Sequence, residues 1–229
     1  MPSESSSGTA EPPSETVIRS TLYAAVLSDA LDDLGLERRA MRPFVRPLDE
    51  ATILFGRART GLYTPCYHIA PDENPYGIEI ALIDDLKPGE VAVLACHGPT
   101  DRIAPWGELL STAATCRGAT GCVTDGLVRD VHKIRKMGFA VFHGGIAPLD
   151  SKGRAKMVEM DVPVECAGVR VCPGDLVFGD VDGVVVLPRE HATAVLARAL
   201  DKATRENRTR DELLDGSLLS EVYARYGVL

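Results

Sequence analysis

No stretch of this 229-residue chain approaches the ~18 consecutive apolar residues that a membrane-spanning helix needs. Basic residues are in deficit. The 25 Lys and Arg are outnumbered by 33 Asp and Glu, giving a formal net charge of −8 and a pI near 5.2. That balance argues against a nucleic-acid partner, whose binding protein usually shows a basic face. The six cysteines, at 66, 96, 116, 122, 166 and 172, include no C-x-x-C pair and no Cys/His spacing of a zinc site. They read as small buried thiols of a reducing, cytoplasmic compartment, and none is assigned to catalysis. The five histidines, at 68, 97, 132, 143 and 191, form no H-x-H or H-E-x-x-H pattern. Glycine pairs such as Gly144-Gly145 lie outside any G-x-G-x-x-G or G-x-x-x-x-G-K loop, so neither a dinucleotide nor a nucleoside-triphosphate site is expected.

What is present is an ordinary globular composition, 45% hydrophobic and 25% charged. The first fifteen residues, MPSESSSGTAEPPSE, hold Glu4, Glu11 and Glu15 but no Lys or Arg. They lack the basic and apolar regions of a signal peptide and read as a disordered arm. Residues 16–229 then read as one domain. Leu22, Val26, Ala30, Leu31 and Leu34 recur at helical spacing and predict a helix over 16–35, stopped by Gly35. An extended segment is expected over 51–63, with Gly56 as a bulge, followed by a helix over 76–86 and a strand over 90–96. A helix over 108–117, a strand over 121–124, a helix over 127–137 and a strand over 139–142 follow. A β-rich meander over 162–187 precedes a long helix over 189–207 and a short one near 217–226. That order suggests α/β layers with partly antiparallel pairing.

Two helix starts are candidate sites. Asp125-Gly126-Leu127-Val128-Arg129-Asp130 lies at a strand-to-helix turn, where free amides and the helix dipole favour anions. On a helix Arg129 and Asp130 would project about 100° apart, leaving each for a third party, with Asp125 as the N-cap. Pro105-Trp106-Gly107-Glu108-Leu109-Leu110 opens the other helix, and the amides of Leu109 and Leu110 would lack intrahelical acceptors. Lys133, Arg135 and Lys136 read as a solvated helix face.

Taken together, Gly107-Glu108-Leu109-Leu110, the run Gly121-Cys122-Val123-Thr124-Asp125-Gly126-Leu127-Val128-Arg129-Asp130, and the run from Val169 through Pro173-Gly174-Asp175 to Pro188 resemble the RraA-like family. Ser28-Asp29-Ala30-Leu31-Asp32 and Lys87-Pro88-Gly89-Glu90-Val91 extend the resemblance over about residues 18–226. The family contains divalent-metal-dependent 4-hydroxy-4-methyl-2-oxoglutarate/4-carboxy-4-hydroxy-2-oxoadipate aldolases and the protein regulator of ribonuclease E activity.

The resemblance implies an α/β fold, a layered αββα sandwich with a swivelling-domain-like β core, assembled as homotrimers or homohexamers with sites at subunit clefts. It implies that Asp130 binds Mg²⁺ or Mn²⁺, that Glu108 holds metal-bound water, and that the amides of Leu109 and Leu110 grip a pyruvyl carboxylate. Arg129 would steady the enolate oxygen, and a C-terminal glutamate of a neighbouring subunit, Glu206, would reach the metal waters. Lys152 and Arg154 could meet a distal carboxylate. A water linked to the metal or to Arg129 would act as base, since no free histidine falls in either motif. One departure is Lys133, where many members carry an acid.

The expected function is a class II pyruvate aldolase. It would cleave a 4-hydroxy-2-oxo dicarboxylic or tricarboxylic acid through a pyruvate enolate, with oxaloacetate decarboxylation as a related activity. The alternatives are a non-catalytic regulator of an RNA-degrading enzyme, or another 2-oxo-acid or hydroxy-acid decarboxylase, hydratase or isomerase. Retention of Glu108, Arg129 and Asp130 weighs against the regulator.

Overall fold

Ser14 begins the first helix. Its Oγ accepts the Val17 amide and caps α1 (Glu15–Thr21). The structure, a computed structural model, describes residues 13–228, so residues 1–12 of the expected arm lie outside the described residues. The backbone turns extended at Leu22 and Tyr23 before α2 (Ala24–Asp33). One expected helix is therefore two. The physical reason is a cap from afar: the Asp180 carboxylate accepts the Ala24 amide at 2.8 Å, and Tyr23 turns away to donate to Glu206.

After β1 (Arg46–Pro47), the chain runs through β2 (Leu54–Pro65), α3 (Gly77–Asp84), β3 (Glu90–Ala95), α4 (Glu108–Cys116) and β4 (Gly121–Thr124). These match the expected elements. Gly56 is not the bulge. The register shifts between Leu62 and Tyr63, and at Gly56 a Cβ would lie 2.5 Å from the Gly89 carbonyl oxygen, so close backbone approach explains the glycine.

The next correction bears on function. Leu127 does not start a helix: Leu127 and Val128 form β5 (Leu127–Val128), and α5 (Val131–Met137) begins only after Asp130. Asp130 has φ +59°, a left-handed conformation that a helix cannot contain. Asp125 is not an N-cap either. It is 1% exposed, and its carboxylate accepts the amides of Cys96, Gly98 and Ala167 at 2.6, 2.8 and 3.2 Å.

Then follow β6 (Ala140–His143), β7 (Gly145–Ile146), β8 (Ala155–Met160), β9 (Val164–Cys166), β10 (Val169–Val171), β11 (Leu176–Asp180) and β12 (Gly183–Leu187). The chain ends in α6 (Ala192–Leu214), longer than expected, and α7 (Leu219–Tyr226). No helix of the described residues is long and apolar enough to cross a membrane.

Among the described residues eight strands make one mixed sheet in the order β1-β6-β4-β3-β2-β11-β12, with β8 added to β2. The β2–β3–β4–β6 pairings are parallel and the others antiparallel. Residues 39–47 bring the two ends together. Ala40 bridges Val185 of β12, while Arg46 and Pro47 pair with His143 and Phe142 of β6, so the sheet curls into a nearly closed barrel.

Alternation along β3 shows how the layers form. Val91, Val93 and Ala95 point into the barrel with Leu54, Phe142, Val171 and Val186. Ala92, Leu94 and Cys96 point the other way, to Leu82, Ile83, Trp106, Ala114 and Ile134 beneath α3, α4 and α5. A third cluster packs α1, α2 and α6 against Phe55, Phe178, Val185 and Leu187. Helices on both sides of a β core give the layered α/β architecture.

Candidate active site

Two short segments meet at one corner of the barrel. Trp106 bridges Val128 in parallel, and its carbonyl accepts the Arg129 amide at 3.0 Å. The indole is fully buried, stacks on Phe139 and donates to Ser111 Oγ at 2.8 Å, which fixes the start of α4 against β5. Between them sits Gly107. Its backbone is extended, so its role is space: a Cβ there would lie 2.9 Å from Asp130 Oδ2 and 3.0 Å from Arg129 Cγ.

Asp130 Oδ2 accepts the Glu108 amide at a long 3.3 Å, and Ser111 N returns to Gly107 O. The amides of Leu109 and Leu110 have no acceptor among the described residues. The Arg129 side chain is 38% exposed. Its Nε is 3.9 Å from Asp130 and its Nη1 3.7 Å from Asp150. Ion pairs this long and this wet contribute little, so Arg129 is free to take an anion.

Leu109, Leu110, Arg129 and Asp130 all line a cavity of about 200 Å³, together with Tyr76, Glu79, Trp106, Asp150 and Ser151. The opposite wall is acidic and was not legible as a site. Tyr76 Oη donates to Asp150 Oδ2 at 2.7 Å. Burial and that contact push the Tyr76 hydroxyl up to about 12. Burial works to raise Asp150 as well. The hydrogen bond from Tyr76 and the charge of Arg129 outweigh it, leaving Asp150 below its ordinary range. Glu79 is 7% exposed and takes a hydrogen bond from Tyr63. Burial, helped by Asp150 and opposed by Tyr63 and Arg129, pushes its carboxyl up to about 7. The available signal was its position: Leu82 and Ile83, three and four residues on, are core residues of the same helix face.

The other expected site residues do not line this cavity. Glu108 stands beside it, its carboxylate 3.5 Å from Lys133 Nζ, so Lys133 partners Glu108. The Arg154 guanidinium folds back onto the Asp150 carbonyl at 3.3 Å. Glu206 lies on α6, held by Tyr23 against a different layer, so it could serve such a cavity only from another copy of the chain. Lys152 belongs to the same loop as Asp150 without lining the cavity. Burial pushes the thiols of Cys96, Cys122 and Cys166 up, consistent with inert core cysteines.

Among the described residues no three His, Cys, Asp or Glu side chains gather as an all-protein metal cage. A hard dication that keeps several waters needs only one or two carboxylates. Asp130, 45% exposed with two long contacts, and Glu108, whose amide meets it, fit that style.

Known proteins resemble this chain along most of its length. Protein DlpA of Legionella pneumophila is 30% identical over 209 residues, which are 89% of this chain. The chain spans only 32% of DlpA's own length. A protein of Halalkalibacterium halodurans named "Putative 4-hydroxy-4-methyl-2-oxoglutarate aldolase" is 29% identical, covering 89% of this chain and 90% of the relative. The crystal structure of Streptomyces coelicolor RraAS2, described as an unusual member of the RNase ES inhibitor RraA protein family, aligns with a TM-score of 0.74 at 29% identity. It covers 87% of this chain and 98% of that one. The RraA-like family, described as Aldolase/RraA, matches residues 24–186, which hold all but the last residue of the barrel strands and both segments of the cavity corner, and the chain belongs to that family.

Proposed function

We propose that the protein is a divalent-metal-dependent pyruvate aldolase that cleaves a 4-hydroxy-2-oxo acid and also decarboxylates oxaloacetate. The observation that carries the reading is the meeting of Arg129, Asp130 and the free amides of Leu109 and Leu110 at one cavity. The names of several relatives, the Halalkalibacterium protein among them, support it.

Asp130, with Glu108 beside it, would hold Mg²⁺ or Mn²⁺, which when bound supplies Lewis-acid stabilisation of a developing enolate charge. The α4 amides of Leu109 and Leu110 bind the substrate carboxylate, helped by the positive end of the helix dipole. Arg129 aims a permanent cation at the 2-oxo oxygen, where the electron pair of the broken bond gathers. Trp106 and Leu110 keep water from that side of the cavity.

The test is pyruvate release from 4-hydroxy-4-methyl-2-oxoglutarate and from oxaloacetate, with Mg²⁺ and with a chelator. Metal-dependent release from either acid is expected. Parental rates in both Arg129→Ala and Asp130→Ala would falsify the reading.

A further inference from the structure

Aldol cleavage moves a proton twice, and the cavity holds a side chain suited to that task outside both motifs. Glu79 projects from the inner face of α3 into the cavity that Arg129 and Asp130 share. Its Oε2 takes the hydrogen bond from Tyr63, and its Oε1 makes none among the described residues. An interior carboxyl with one oxygen unspent is costly to keep, and an apolar residue would suit the helix better.

We propose that Glu79 is the general acid–base of this cavity, taking the C4 hydroxyl proton of the bound 4-hydroxy-2-oxo acid and returning it to C3 of the pyruvate enolate. The proposal rests on the aldolase reading. The Glu79 carboxylate removes the hydroxyl proton, and the C4–O pair becomes a carbonyl on the departing fragment. The C3–C4 bond breaks, and its electron pair passes to C3 and on to the C2 oxygen. Protonated Glu79 then donates to C3, pyruvate forms, and the carboxylate is restored with no oxidant or reductant.

The groups around it favour this role. Tyr63 faces it from β2, Tyr76 from the start of α3 and Cys96 from the end of β3. Arg129 faces it from the turn after β5, and Asp150 from the loop before β8. With its carboxyl near 7, Glu79 populates both protonation states close to neutrality. Asp150 is held ionised by Tyr76 and Arg129, and the Tyr76 hydroxyl at about 12 keeps its proton.

The two substrates separate a catalytic role from a structural one. Oxaloacetate has no C4 hydroxyl proton to remove, and its enolate can leave the cavity and take its C3 proton from water, so its decarboxylation asks less of Glu79. The full chain and Glu79→Gln, both with Mg²⁺, would be compared for pyruvate release from both acids across about pH 5.5–9. Exchange of pyruvate methyl protons in D₂O would be followed by NMR. The expected result is a drop of about 10²–10⁴ in kcat for aldol cleavage and in proton exchange, with the limb near pH 7 abolished. KM and oxaloacetate decarboxylation change less than about tenfold. Tyr63→Phe, which removes the contact that lowers Glu79, moves that limb to higher pH while activity persists. An active parent with an unaltered Glu79→Gln overturns the assignment of Glu79 alone, as do equal losses on both acids. A parent that cleaves neither acid and exchanges no methyl protons overturns the aldolase reading beneath it.

Discussion

Asp125 and Asp130 stand at the two ends of one six-residue segment, yet the molecule treats them in opposite ways. Asp125 is enclosed, and three amides from two separate stretches of chain, residues 96–98 and Ala167, consume its lone pairs. Asp130 is nearly half in solvent, with only two long contacts, the Glu108 amide at 3.3 Å and Arg129 Nε at 3.9 Å. A carboxylate whose acceptor sites are filled by backbone holds the fold together. One with acceptor sites left over can bind something else. The difference is therefore one of occupancy, and it can be probed from either end.

The largest effect is expected at the enclosed end. Asp125→Ala would strand three amides, two of them fully interior, at about 1–3 kcal/mol each, for a stability loss of at least about 3 kcal/mol in urea unfolding. An unchanged urea midpoint would show that water or relaxation satisfies those amides, and the contrast between the two acids would collapse. At the open end, Arg129→Ala should cost about 10²–10³ in kcat, or about 2.7–4 kcal/mol of transition-state stabilisation. Its stability should move by no more than about 1 kcal/mol, because its ion pairs are long and wet. A large drop in melting temperature would return Arg129 to the structural side.

Glu79 sharpens the comparison, being enclosed like Asp125 but only partly satisfied. Its folded value of about 7 lies above the ordinary 4.5, so the fold favours its protonated form. That contribution is complete below about pH 4.5 and is lost as pH rises to 7, a change of roughly 3 kcal/mol. Glu79→Gln should therefore gain up to about 3 kcal/mol over the parent at pH 8 and nothing at pH 4. His143 runs the other way. Burial, with Arg135, lowers it to about 4, so its contribution disappears as pH falls from about 6.5. Because parent and variant share His143, comparing the two at each pH isolates Glu79. The smallest effect is expected at Lys133→Gln, which frees the Glu108 carboxylate. Calorimetric titration with Mg²⁺ should show affinity rising by up to about fivefold, and a fall would mean that Lys133 supports the site.

Much of the corner was legible because its signals are local. Gly107 through Leu110 announce a helix start, and Arg129-Asp130 follow a strand and a turn within a few residues. The layered α/β core followed from the alternation of short apolar strands with helices. The opposite wall was not legible, because Tyr76 finds Asp150 across 74 residues of chain. The helix break at Leu22–Tyr23 was hidden for the same reason, since its cap comes from Asp180, 156 residues away. The missed β5 had another cause. Leu127 fits the apolar stripe of the following helix, and only pairing with Gly145 and Ile146 draws it into a strand. Glu79 drew no reading from the sequence, although its spacing to Leu82 and Ile83 marks it as inward.

The left-handed backbone at position 130 narrows what inheritance can try there. Branched and bulky side chains would strain that turn, glycine would fit it without offering any donor atom, and asparagine would fit it while surrendering the charge. A lineage giving up a carboxylate at this position could slip through either of those two doors without disturbing its architecture. On the aldolase reading, the identity of this one residue in a sister sequence should accordingly report whether that sister could hold the proposed cation.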